Sequence, residues 1–142
     1  MIPEWDNQTG INLEENMDVL LGFIYMIEMK DGRYYVGRKQ FWSKRGKEYI
    51  ENDWRDYISS STIIKSEPEN IGAKKILAAF TSKSAMRYGE ALGIIMSNSY
   101  LSPLGLNGSF ESCRGTIKLE GEDKNQMEGL ALKAQEACRG HG

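Results

Sequence analysis

The chain has very little cysteine: Cys113 and Cys138 are the only two among 142 residues. Two thiols are too few for a disulfide framework, and their scarcity points to a reducing compartment, the cytoplasm. Histidine is scarcer still, with His141 alone. Cys113, Cys138 and His141 lack the ligand spacing of a zinc site, so unreactive thiols are expected there. No apolar run approaches the ~18 residues of a membrane-crossing helix, and no membrane partner is read. The opening MIPEWDNQTG has no basic region followed by an apolar one, so no secretory leader is expected. An excess of positive charge is missing too. The net charge is −2, which taken alone argues against a nucleic-acid partner.

The distribution of charge reverses that argument. Residues 1–20 hold Glu4, Asp6, Glu14, Glu15 and Asp18 with no Lys or Arg, an acidic arm or short helix. Between Lys30 and Lys47 stand seven basic residues against one acid, Asp31. Screening limits each charge to about 8–10 Å, so a local basic patch can bind phosphates whatever the total. A solvated basic loop is the ordinary alternative. The length and the 40% apolar content fit one compact domain.

Gly22–Gly37 (GFIYMIEMKDGRYYVG) reads as a β-hairpin: two aromatic and β-branched runs joined by Lys30-Asp31-Gly32. Tyr25 and Tyr35 stand ten residues apart, one on each predicted strand. The loop length decides whether they share a face. A two-residue loop pairs Tyr35 with Glu28 and opposes the tyrosines. A three-residue loop with Gly32 in a left-handed bulge pairs Tyr35 with Ile27 and puts both phenols on one side.

This hairpin resembles that of the GIY-YIG nuclease family. Gly22-Phe23-Ile24-Tyr25 stands for the first tripeptide with one residue inserted, Tyr35-Val36-Gly37 for the second, and Arg38-Lys39 follows at once. The resemblance spans about Leu21–Ser109 and implies an α+β fold, a small three-stranded antiparallel sheet flanked by helices. The arm at 1–20 and an extension at 111–142 flank that core, 21–110. The function implied is a DNA endonuclease of the small phage-encoded kind, acting in the host cytoplasm on double-stranded or branched DNA. The products would be a 5′-phosphate and a 3′-hydroxyl.

The resemblance also implies site residues. Tyr25 would generate the nucleophile as phenolate or through a water, and Tyr35 would position it. Phenolate needs nearby positive charge, which Arg38 and Arg45 would supply. In the repair branch an arginine lies seven residues past the basic residue that follows the tripeptide; Arg45 matches, with Arg38 as phosphate binder. In the phage branch Arg55 is the other candidate. Lys39, Lys44, Lys47 and Trp42 would add nucleic-acid contacts. Asn52–Lys65 resembles a phage-family segment whose serines, Ser59 and Ser60, either hold phosphate or simply cap a helix.

Gln40–Glu51 is read as a loop with helical turns, and Glu67-Pro68-Glu69-Asn70 as a helix stop. Ile71–Phe80 reads as the third strand. Ser84–Asn98 reads as a helix with an apolar stripe of Ala85, Tyr88, Leu92, Ile95 and Met96. Gly89 and Gly93 within it suggest close packing on the sheet. Glu90 is its one carboxylate. By resemblance Glu90 binds the divalent metal, Mg²⁺ or Mn²⁺; on the helical wheel alone it is a solvated glutamate. Asn107, ahead of Asn98, matches the asparagine that follows this helix in the family, and Asn-Gly is also common turn chemistry. A short helix is read around Gln126–Ala137, with Met127, Leu130, Leu132, Ala134 and Ala137 toward the core.

Two other readings remain: a GIY-YIG fold that binds nucleic acid without cutting it, and a virion or protein-interaction domain. In the second, the tyrosines, Trp42 and Trp54 are core or interface residues. The short flanks leave no room for a separate sequence-reading domain. Weak sequence specificity, or a protein partner that supplies it, is therefore expected, with the oligomeric state open.

Overall fold

Two runs of aromatic and β-branched residues pair across Lys30-Asp31-Gly32, and the rest of the sheet grows outward from them. The computed structural model describes residues 2–109 and 117–141, which leaves Cys113 outside the described residues. In chain order the strands are β1 (Trp5–Asn7), β2 (Gly22–Met29), β3 (Tyr34–Gln40), β4 (Trp42–Arg45) and β5 (Glu48–Glu51). Helix α1 (Thr62–Ser66), a 3₁₀ turn at Pro68–Asn70, β6 (Ile71–Phe80), α2 (Lys83–Ser97) and α3 (Gly121–His141) follow. No helix among the described residues is long and apolar enough to cross a membrane.

The hairpin takes the three-residue loop. Ile27 pairs with Tyr35 and Glu28 with Tyr34. The Met29 amide donates to the Arg33 carbonyl at 2.7 Å, and Gly32 sits at φ 94°. Tyr25 and Tyr35 therefore share a face. β6 lies antiparallel on the other side of β2, with a register shift between Ile24/Tyr25: Ile24 faces Ala78 and Tyr25 faces Ile76. Leu77 is the extra residue. This bulge keeps Tyr25 and Ile76 in one core while Ile24, Leu77 and Ala78 occupy the other.

The sheet has four strands in the order β1-β6-β2-β3, and it is mixed. The expected three antiparallel strands are corrected by β1, which runs parallel to β6 with Trp5 opposite Lys74. Part of the acidic arm is thus sheet. Trp5 explains why: its ring meets Phe23 at 5.3 Å and Tyr25 at 5.5 Å, and its indole donates to the Trp54 carbonyl. Three residues carry too little periodicity to announce a strand; tertiary packing makes this one. Gln40–Glu51 is corrected as well. It forms the β4–β5 ribbon, with Gly46 at φ 65° in its turn.

One face of the sheet is covered by the residues around Leu13, Met17, Trp54 and Ile64, the other by α2 and α3. Ser82 caps α2 by accepting from the Ala85 amide, and Asn98 ends it at φ 61°. The buried side of α2 is Ala85, Met86, Gly89, Gly93, Ile94 and Ser97, whereas Tyr88 and Ile95 are 40% and 59% exposed. The expected stripe was rotated because small residues, not large ones, make the contact. A Cβ at Gly89 would lie 2.8 Å from the Phe80 ring, and one at Gly93 would lie 3.1 Å from Val36. Helix α3 starts five residues earlier than expected and buries Met127, Leu130 and Ala134; Leu132, on its opposite side, is 64% exposed.

Candidate active site

Tyr25 is fully buried, and its ring lies across Gly37, its partner on β3. A Cβ at Gly37 would fall 2.5 Å from the phenolic oxygen and 2.6 Å from Cζ. The glycine of Tyr35-Val36-Gly37 is therefore the space in which Tyr25 sits. The Tyr25 hydroxyl lies 3.4 Å from Ser59 Oγ and accepts from the Ser60 amide at 3.4 Å. The Tyr35 hydroxyl shares a 3.0 Å hydrogen bond with Ser60 Oγ. The two rings are 6.2 Å apart. Ser61 N-caps α1, and its amide donates to Ser59 Oγ, so the serine run both starts that helix and orients the phenols.

Tyr57 completes this cluster and was not among the residues singled out from the sequence. Its ring meets Tyr25 edge-on at 5.9 Å, and Lys39 Nζ stands 4.4 Å over it. The available signal was its place in Trp54-Arg55-Asp56-Tyr57, two residues before the serines. Burial pushes the Tyr25 phenol far above the usual range, and Tyr57 adds to that. Burial also raises Tyr35, with the Glu90 charge contributing. Burial, not the positive field expected from Arg38 and Arg45, decides the Tyr25 phenol.

Glu90 sits on the sheet side of α2, with its side chain 17% exposed. The wheel reading that turned it to solvent fails with the stripe on which it was drawn. Its Oε1 lies 3.4 Å from Arg38 Nη1. Arg38 and Tyr35 leave β3 on opposite faces, and β3 is the last strand of the sheet, so both flank its outer edge. Tyr25, Tyr35, Tyr57 and Lys39 thus cluster on one face of the hairpin, and the Arg38–Glu90 pair lies on the other face of the same edge strand.

The other arginines are elsewhere. Arg45 is exposed at the tip of the β4–β5 ribbon, between Lys44 and Lys47, which are exposed too. Arg55 binds Glu14 and Glu51 and stacks 4.5 Å over Trp54. Trp42 is half-buried, its indole donating to the Met17 carbonyl. Asn107 is buried, accepting from the Val36 amide at 2.9 Å and donating to its carbonyl at 2.7 Å. Both ends of that side chain are used in tying the 104–107 loop to the edge of β3.

Among the described residues no three His, Cys, Asp or Glu side chains come together. A single carboxylate still suits Mg²⁺ or Mn²⁺, which take hard oxygen ligands and commonly keep waters or substrate phosphates for the rest. Glu90 is such a donor, partly open and paired with Arg38.

A family model described as "Putative endonuclease segE, GIY-YIG domain" matches residues 5–109. Its start coincides with β1, so the similarity includes the strand that the hairpin motif alone left out. Over 74 residues, 51% of this chain, the sequence is 35% identical to "Intron-associated endonuclease 2" of Enterobacteria phage T4. The matched stretch is 28% of that relative's length. No solved structure matches the chain.

Proposed function

The chain belongs to the GIY-YIG endonuclease family, and from that premise we propose that it is a divalent-metal-dependent DNA endonuclease hydrolysing phosphodiester bonds. The observation that carries this is the pairing of the α2 carboxylate Glu90 with Arg38, on the strand whose Tyr35 packs against Tyr25 of β2. They come from three separate elements, so local sequence does not force them together.

Glu90 would hold Mg²⁺ or Mn²⁺, whose charge would offset that of the phosphate and of the leaving oxygen. Arg38 fixes the carboxylate before substrate arrives. Its guanidinium would stabilise charge developing on the phosphate in the transition state. Tyr35 and Ser60 orient the attacking water. Tyr25, a neutral phenol at physiological pH whose burial makes ionisation harder still, acts as a hydrogen-bonding group in this arrangement. Arg38, rather than Arg45 or Arg55, is the guanidinium that the geometry supports. Double-stranded or branched DNA is the proposed substrate, with a protein partner as one source of specificity.

One observation favours a binder that does not cut. The arginine matching the repair-branch position, Arg45, stands away on the ribbon, and Arg55 is bound by acids. Plasmid nicking separates the readings: supercoiled DNA should become relaxed with Mg²⁺ or Mn²⁺ and stay intact in chelator. Salt-sensitive binding without nicking in either metal would establish the binder instead.

A further inference from the structure

Beside the Arg38–Glu90 pair lies a second polar hollow that this chemistry does not use. It encloses about 170 Å³ between β3 and the first turns of α2, and is lined by Arg38, Gln40, Lys83, Met86 and Arg87. Three of those five residues are cations. Arg38 and Gln40 alternate on the same face of β3, toward α2. Lys83 is the first helical residue and Arg87 follows one turn later, so both lie on one side.

Their position is electrostatically unfavourable for the helix itself. The N-terminus of a helix carries partial positive charge and normally gathers acids, yet the first turn of α2 has none. Asp123 of α3 comes near, but its carboxylate is taken by the Thr81 amide and hydroxyl. Neither Lys83 nor Arg87 has an ion-pair partner among the described residues. Arg38 is shared with Glu90, so the hollow keeps two uncompensated cations at the positive end of a helix. A bound anion would relieve that arrangement.

We infer that this hollow is a phosphate subsite, which takes a backbone phosphate of the DNA strand neighbouring the one at Glu90. The inference rests on the DNA-cleaving reading for the identity of the anion. Arg38 links the two positions, with one edge toward Glu90 and its side chain in the wall of the hollow. Gln40 adds an uncharged donor. The subsite carries no means of reading bases. Its contribution is register, holding the strand so that one phosphodiester falls at the tyrosines.

The test measures binding of a short duplex by fluorescence anisotropy in chelator, where cleavage is absent, over a series of salt concentrations. Wild type is compared with the double variant Lys83→Ala/Arg87→Ala and with Lys83→Arg/Arg87→Lys. Losing one phosphate contact should weaken binding uniformly across sequences and lower the slope of log K against log salt by about 1. The charge-preserving variant should keep the wild-type slope. An unchanged slope in a folded alanine variant overturns the subsite even where wild type cuts DNA. If wild type never cuts but the alanine variant loses that slope, the subsite stands and the hydrolytic reading falls. Absence of salt-dependent binding by wild type removes both.

Discussion

Arg38 and Tyr25 are the residues whose surroundings depart most from what their letters announce. Arg38 directly follows the second tripeptide, and the structure gives it Glu90 at 3.4 Å, while Arg45 points off a ribbon tip. Arg38→Ala should lower single-turnover cleavage about 10²- to 10³-fold, the scale of one lost transition-state charge partner. Arg45→Ala and Arg55→Ala should lower it far less. A steeper loss in Arg45→Ala would move the catalytic guanidinium to the ribbon. Tyr25 yields a prediction about pH. Its folded value is raised above the unfolded value of ~10, so its contribution to stability is complete below that pH. That contribution is lost as pH rises above ~10 toward the folded value, because the unfolded chain ionises first. Urea midpoints should therefore decline above pH ~10 in wild type, and less steeply in Tyr25→Phe. Tyr57 shows the limit of reading single residues. Nothing about one tyrosine in a polar stretch says that its ring will close a cluster; only the packed neighbours do.

At the scale of elements, legibility follows how local the physics is. The β2–β3 hairpin could be read because period-two alternation and an Asp-Gly turn are local, but whether Tyr25 and Tyr35 share a face stayed open until the pairing showed a three-residue loop. β6 was bounded correctly, with its cap at Ser82, by an apolar run ending in Thr-Ser. β1 and the β4–β5 ribbon were not legible. One is ordered by its pairing with β6; the other is a charged hairpin with few apolar residues to mark strand alternation. The face of α2 was misread for a third reason: a stripe drawn through large apolar residues ignores that Gly89 and Gly93 permit a closer contact. This has a measurable consequence. Gly89→Ala should gain about 1 kcal/mol of helix propensity but meet the Phe80 ring at 2.8 Å, and overpacking costs about 1–3 kcal/mol. The net effect should be a lower denaturation midpoint together with reduced cleavage, since Glu90 is the adjacent residue. Stabilisation with full cleavage would mean that α2 does not depend on that approach.

For the whole molecule, the acidic total charge conceals a divided surface. Glu14 of the acidic segment and Glu51 of β5 take up Arg55 on one side. Arg38, Lys83 and Arg87 line one hollow between β3 and α2, and Lys39 stands over Tyr57 on the other face of the same edge strand. Local potential of this kind steers a polyanion toward one edge even when the net charge is −2. Glu90 pairs with Arg38 at that edge. The central claim is that Glu90 serves the chemistry rather than the fold. Glu90→Gln keeps the side-chain shape and removes the charge. Nicking of supercoiled plasmid in Mg²⁺ should then fall by about 10²-fold or more, on the scale of one lost charge partner in the transition state, while duplex binding in chelator stays near wild type. Wild-type nicking rates in a folded Glu90→Gln protein would contradict the account.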